Sequence, residues 1–317
     1  MKRRHFILWL AAAPLGASAQ SHQTIGFLRN TSAEESKFLI EALRKGLAEG
    51  GYTEKKNLTI EYRFTEGRHE RMPALVADLA KRRVAVLVAG GTAALHAAAA
   101  STTPVVFVIG EDPKKLGMVE SLSRPGGHMT GVAFLTLGGK RLEMFNALVP
   151  KVKTIAYLVN PGDQQTSALQ SEDVQAAAHA LGIKLVVFPV KSEAEIGDAF
   201  ASIEKQRIRA VHVGGSALFL SKRQQIVSLA ARQSIATSFQ NREGAEAGGL
   251  LSYGASVSEA YRQAGLYVGR ILKGAKPGEM PVLQSSTPEL VINLNTAKML
   301  GISVPQSMLQ RADAVIQ

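Results

Sequence analysis

The 317-residue chain contains no cysteine, which excludes disulfides, thiolate chemistry and the lipid anchor that a bacterial lipoprotein attaches to a cysteine at its cleavage site. It also lacks the familiar catalytic and nucleotide motifs. No G-x-G-x-x-G follows an apolar strand, and Gly138-Gly139-Lys140 has neither the leading glycine nor the Ser/Thr of a phosphate-binding loop. No G-x-S-x-G is present for a serine hydrolase. The 7 histidines never fall at metal-ligand spacing: His69-Glu70 runs into Arg71, Met72 and Pro73, and proline breaks the helix that an H-E-x-x-H site needs. His96 and His179 read as ordinary helix residues. Nothing calls for a metal or a cofactor, and no base or nucleophile stands out for an enzyme.

The apolar run Phe6–Ala13 is shorter than the ~20 residues of a membrane span. It follows Lys2, Arg3 and Arg4 and precedes Ala17-Ser18-Ala19, a small-x-small site before Gln20. Residues 1–19 are therefore expected to be a signal peptide, removed on export by the general or the twin-arginine route, which leaves a soluble periplasmic protein. Loss of those three cations lowers the net charge of +11 to +8. The remaining Lys and Arg are scattered, with only short clusters such as Lys81-Arg82-Arg83, so the charge reads as a solvated surface and not as a nucleic-acid interface.

What is present is alternation. Hydrophobic residues make up 46% of the chain, enough for two lobes of roughly 100–150 residues each. "TIGFL" (24–28) reads as a strand, and Leu39, Leu43 and Leu47 then fall on one face of a helix ending at Gly50-Gly51. "LTIEYRF" (58–64) alternates like a half-buried edge strand. Helix 71–83, strand 84–88, an Ala-rich helix and strand 104–109 follow. After "RPGGHMTGVAF" the pattern restarts with helix 139–149, strand 154–159, helix 165–181, strand 183–190, helix 193–205, strand 210–213 and helix 221–233. Such alternation predicts parallel sheets.

Within this repeat, "VAGGTAAL" (88–95) and "HVGGSALF" (212–219) each place Gly-Gly-(Thr/Ser)-Ala after a short apolar strand. Thr92 and Ser216 sit where a hydroxyl can cap a helix, and the glycines let a ligand approach backbone N–H groups. Two readings stand: each hydroxyl only satisfies its own backbone, or the two turns face one ligand beyond the carboxyl ends of the strands.

The chain resembles, from "TIGFLRN" through "GLAEGGYTEKKNLTIEYRFTEG", "RPGGHMTGVAF", "GGKRLEMFNALVP" and "REGAEAGGLLSYG" to "YVGRILKGAKPGEMPV" and "ELVINLNTAKMLGISVP", the ABC-transporter substrate-binding protein family that includes binders of tryptophan and other aromatic amino acids. It departs from that family at Ala93, where proline often follows the threonine, and at Gly244 and Ala245, where bulkier residues are usual. The resemblance implies an α/β fold of two Rossmann-like lobes with parallel sheets, joined by a three-crossing hinge (type I periplasmic-binding protein). The expected division is a signal peptide at 1–19, lobe one at 20–131 plus about 254–281, and lobe two at 132–253 plus about 282–317, with crossings near 130–134, 249–253 and 281–288. It further implies a small ligand, an amino acid or similar carboxylate, held by Thr92, Ala93, Asp112, Asn160, Asp163, Ser216, Ser252 and Tyr253, with Arg29, Asn30, Gly91, Phe134 and Gly215 as further lining. Hydroxyls, helix N-termini and Arg29 suit a carboxylate, and Asp112 or Asp163 suits an ammonium. Asp112-Pro113 and Asn160-Pro161-Gly162-Asp163 read equally as plain turns. The implied partner is an ABC permease of the inner membrane, met by a monomer that closes on its ligand. A sensor-kinase partner, a periplasmic enzyme and a repressor-type sensing domain on the same scaffold are the alternatives. The exported N-terminus and the absence of a helix-turn-helix segment before Thr24 speak against the repressor.

Overall fold

The computed structural model describes residues 22–134, 137–161, 164–285 and 288–317. The proposed signal peptide, Asp163 with Gly162, and part of the third expected crossing lie outside the described residues. The chain opens with β1 (Gln23–Arg29), α1 (Ala33–Glu49), β2 (Leu58–Phe64), α2 (Met72–Lys81), β3 (Val86–Gly90), α3 (Thr92–Ala99), β4 (Val105–Ile109) and β5 (Met129–Phe134). It repeats the pattern with α4 (Gly138–Leu148), β6 (Thr154–Val159), α5 (Gln164–Ala180), β7 (Lys184–Pro189), α6 (Glu193–Lys205), β8 (Ala210–Val213), α7 (Ala217–Ser221), α8 (Arg223–Arg232), β9 (Ala236–Phe239), α9 (Arg242–Glu246) and β10 (Leu251–Gly254). It closes with α10 (Val257–Leu272), β11 (Leu283–Ser285), β12 (Glu289–Asn293), α11 (Leu294–Met299), α12 (Gln306–Arg311) and β13 (Ala314–Ile316).

Among the described residues, six strands form one sheet in the order β11-β5-β4-β3-β1-β2, and seven form the other in the order β13-β12-β10-β9-β8-β6-β7. Stripped of the late strands, the two orders are the same path, 2-1-3-4-5 and 7-6-8-9-10, so the alternation seen in the sequence is a duplicated wiring. β2 is an edge strand, as its alternation predicts. The first sheet is parallel throughout its paired strands. The second departs from the parallel expectation at β12, which runs antiparallel to β10. Its path explains the reversal: β11 ends at the carboxyl edge of the first sheet, so the chain enters the second sheet at that sheet's carboxyl edge and must run the other way.

The stretches expected to cross are largely strand, and only in β10 does sheet pairing run one residue beyond them. β5 stays in the first sheet to Phe134, Leu283–Ser285 pairs alongside it, and β10 stays in the second sheet to Gly254. The helix expected over 221–233 is α8, and a separate short helix, α7, precedes it, capped by Ser216 and ending at Lys222 (φ −96°, ψ 18°).

The start of α1 is locally encoded. Ser32 accepts the Glu35 N–H (3.3 Å) while the Glu35 carboxylate accepts the Ser32 N–H (2.8 Å), a capping box that satisfies two orphan donors. Leu39, Leu43 and Leu47 are buried on its inner face, each stabilising the fold by about 1.5–3 kcal/mol relative to exposure. There α1 meets α10 with backbones in contact: a Cβ at Gly46 would overlap the Arg262 carbonyl oxygen, and one at Gly265 would press on the Leu43 carbonyl. Glycine is required at this crossing by lack of space. Gly46→Leu should destabilise the protein by about 3 kcal/mol or more and lower its melting temperature by roughly 5–10 °C in a thermal melt; an unchanged melting temperature would contradict this packing.

Candidate functional site

Parallel register aligns strand ends. Arg29 pairs with Gly90 and Gly90 with Val108, which puts the ends of β1, β3 and β4 side by side; in the second sheet Leu158 pairs with Val213 and His212 with Ser238. Between the two edges lies a cavity of about 120 Å³, far above the ~10–15 Å³ that one water needs. Three loops from each sheet line it at corresponding positions. Arg29-Asn30 at the end of β1 matches Asn160 after β6, Gly91-Thr92-Ala93 after β3 matches Gly215-Ser216-Ala217 after β8, and Ile109–Glu111 at the end of β4 matches Gln240-Asn241 after β9. Phe134, Leu220, Val257 and Tyr261 complete the wall.

The two Gly-Gly turns are not the same device. In the first, Gly91 is the residue before the helix, at φ 92°, a left-handed conformation that favours glycine, and its N–H donates to the Val108 carbonyl (2.9 Å). Thr92 is thus already the first helical residue. Its hydroxyl does not cap α3 as expected but donates to the Glu111 carboxylate at 2.6 Å. In the second turn Ser216 holds the capping position, and its hydroxyl accepts the Phe219 N–H (3.2 Å), which leaves the O–H proton to donate. The motif matches in sequence, but helix start and motif are offset by one residue.

Arg29 is 5% exposed. Its Nε donates to the Thr31 hydroxyl (3.0 Å), its Nη1 donates to the Tyr261 hydroxyl, and Thr31 in turn meets Ser36 (2.8 Å). Gly90 has no side chain because a Cβ would occupy the Tyr261 hydroxyl's place. Burial pushes the Tyr261 phenol up, against the lowering pull of the adjacent guanidinium, so it remains a neutral acceptor that aims a cation at the cavity.

The other expected site residues divide. Asn160, Gly215, Asn30 and Phe134 line the cavity with those above. Asp112 does not: its carboxylate accepts the Lys114 N–H (2.9 Å) and closes a local turn, and its neighbour Glu111 takes the place at the wall. Ser252 is 1% exposed inside β10, and Tyr253 packs against the second core, so neither is among the lining residues. Gly244, one of the departures from the family pattern, gives room to the Phe239 ring, next to Gln240. Sequence reasoning missed Glu111, Gln240, Asn241, Leu220, Val257 and Tyr261. Val257 and Tyr261, four apart at the start of α10, could have been found as a helical pair directly after a crossing; Glu111 is masked by the turn-forming Asp112-Pro113 beside it.

Behind the second wall lies a buried polar network. Arg141, 2% exposed, donates through Nη2 to the Val213 carbonyl (2.6 Å) and to His212 Nε2 (2.9 Å). An arginine cannot accept, so His212 carries its proton on Nδ1 and donates it to the Ser238 hydroxyl at 2.8 Å. The network ties the strand end before Gly214-Gly215 to the one before Gln240-Asn241. Burial draws the Arg141 guanidinium down to about 10, against the raising pull of Tyr157 and Asp173. Burial, then the Arg141 charge, holds His212 well below its usual range. Unfolding therefore lets His212 take up a proton below about pH 6.5, so its contribution to stability is complete above that pH and declines below it, by up to about 1.4 kcal/mol per pH unit. Denaturant unfolding of wild type and His212→Asn between pH 7 and 5.5 should show a steeper loss in wild type; parallel slopes would contradict a neutral buried histidine.

Among the described residues, no helix is long and apolar enough to cross a membrane, and no cluster of His, Cys, Asp and Glu could hold a metal ion. A family model described as ABC transporter substrate binding protein matches residues 32–316. The chain is 25% identical over 261 residues to a "Tyrosine-binding protein" of Clostridioides difficile (strain R20291), covering 81% of this chain and 75% of that protein. Its fold superposes on the crystal structure of an ABC domain in complex with L-Trp from Streptococcus pneumonia, with a TM-score of 0.83 and 29% identity over 93% of this chain and all (100%) of that one. A conserved domain protein from Vibrio cholerae gives a TM-score of 0.84 at 26% identity, again over 93% of this chain and 100% of its own.

Proposed function

This chain belongs to the ABC transporter substrate binding protein family, with the type I periplasmic-binding fold of its neighbours, and on that premise we propose that it captures a free amino acid between its two units for an ABC importer. One observation carries the reading: a cavity built from matching strand ends of both sheets presents a buried arginine, Arg29, and a carboxylate, Glu111, on the first-sheet wall. A guanidinium suits the ligand's carboxylate and a carboxylate suits its ammonium. Phe134, Leu220, Val257 and Tyr261 offer an apolar surface to a side chain. The names of the C. difficile and S. pneumonia relatives, one tyrosine-binding and one in complex with L-Trp, support an amino acid and favour an aromatic one.

In this reading the ligand seats on the first-sheet wall through Arg29, Asn30, Gly91, Thr92, Ala93 and Glu111. The second unit then closes with Asn160, Gly215, Ser216 and Gln240, and an inner-membrane permease reads the closed shape. The units built on the two sheets are the lobes, and the expected export places the mature chain in the periplasm. The relatives are binding proteins, and a binding role, not catalysis, is the one we assign.

The test is a thermal-shift and calorimetric titration of the ligand-free mature protein with L-tyrosine, L-tryptophan and the other amino acids. Stabilisation by at least one of them is expected, because a ligand that binds only the native state raises its melting temperature. Arg29→Lys and Glu111→Gln should each weaken that ligand roughly ten- to a hundredfold, the range of a hydrogen bond to a charged group. An amino acid bound equally by both variants would contradict the site, and a panel without a stabiliser would contradict the ligand class.

A further inference from the structure

Outside the cavity, the two units meet a second time where α1 faces the junction of α7 and α8. Lys222, at that junction, places its ammonium 2.6 Å from the Glu193 carboxylate of its own unit and 3.0 Å from the Glu35 carboxylate of the other. The second Glu35 oxygen is the one that accepts the Ser32 N–H. Ser32 lies three residues beyond Arg29, so a cation from the second-sheet unit ends on the group that fixes the loop carrying Arg29 and Asn30 into the cavity. The next residue repeats the reach: the Arg223 guanidinium stands 5.0 Å over the Phe38 ring of α1 and donates to the Leu220 carbonyl (2.8 Å), while Leu220 packs against the first unit's core. The Ser258 hydroxyl of α10 donates to Glu243 of α9 at 2.9 Å, a further link between units.

We propose that Lys222 is a positioning residue for closure: by joining Glu35 across the cleft it favours the closed arrangement and orders the Arg29 loop before any ligand arrives. The inference rests on the hinge-closing reading above. The side chains of Lys222 and Glu35 are 24% and 20% exposed, so the pair is only partly screened. Burial pushes the Glu35 carboxyl up, yet the Ser32 hydrogen bonds and the Lys222 ammonium outweigh it and hold the group below its ordinary range, as a working pair requires.

Because the chain has no cysteine, spin labels can be placed uniquely on Lys45→Cys of α1 and Ser228→Cys of α8, both exposed. The distance distribution is then measured on the ligand-free mature chain. The expected result is a short-distance population whose ratio to the open one falls about two- to fivefold in Lys222→Met, the effect of losing a partly exposed ion pair. Glu35→Gln should reproduce that fall, because glutamine keeps the capping box but not the charge. About 1 M sodium chloride should do the same in wild type, and Lys222→Arg should restore the short population. Distributions of wild type, Lys222→Met and Glu35→Gln that superimpose would overturn the proposal, as would a wild type with no short population. Adding L-tyrosine separates the two readings: failure to shorten the distance in wild type counts against that ligand, whereas the ligand-free comparison alone decides the role of Lys222.

Discussion

Parallel strands deliver their carboxyl ends to one edge, and each such edge ends in loops whose backbone groups need partners outside the sheet. In this chain two sheets with the same strand order turn those edges toward each other. The cavity is the consequence: six loops, three from each sheet, converge on it at equivalent positions. The charged groups are where this constraint leaves room for them. Arg29 ends β1, the strand in the middle of the 2-1-3 reversal, and Tyr261 reaches it only because Gly90 has no side chain.

The two halves have diverged in how they meet the same demand. The first wall spends the Thr92 hydroxyl on Glu111 and so fixes a carboxylate at the cavity, while the second keeps Ser216 as a helix cap. The first wall also holds the cavity's arginine and carboxylate, and the second is set from behind by Arg141, His212 and Ser238, which are buried and uncharged apart from the arginine. In the function proposed above, the first wall holds a small charged molecule and the second closes over it. Contacts around Lys222 and Arg223 then connect the outer rim to the Arg29 loop.

Much of this was legible in the residues. Alternation of short apolar runs with amphipathic stretches fixes strand and helix order, and the two Gly-Gly turns mark equivalent loops in the two halves. Less legible was anything that depends on one residue of offset or on a partner distant in sequence. Thr92 and Ser216 look alike until the left-handed Gly91 shifts the first helix start. Asp112 attracts attention beside Pro113, but a carboxylate followed by two free N–H groups is drawn into its own turn, and Glu111 is left to face the wall. Tyr261 and Gln240 come from a returning helix and a strand end that no local pattern connects to Arg29. Antiparallel β12 follows from the crossing path, which sequence periodicity does not encode.

The central claim is that the cavity recognises both charges of an amino acid at once. Calorimetric titration of the ligand-free mature protein with the amino acid that stabilises it most, with that amino acid's decarboxylated amine and with its deaminated acid tests it most directly, since the last two lack the carboxylate and the ammonium respectively. The account predicts at least a tenfold loss for each of the two truncated molecules, the worth of about 1.4 kcal/mol per removed charge contact. Equal binding of either truncated molecule would contradict it.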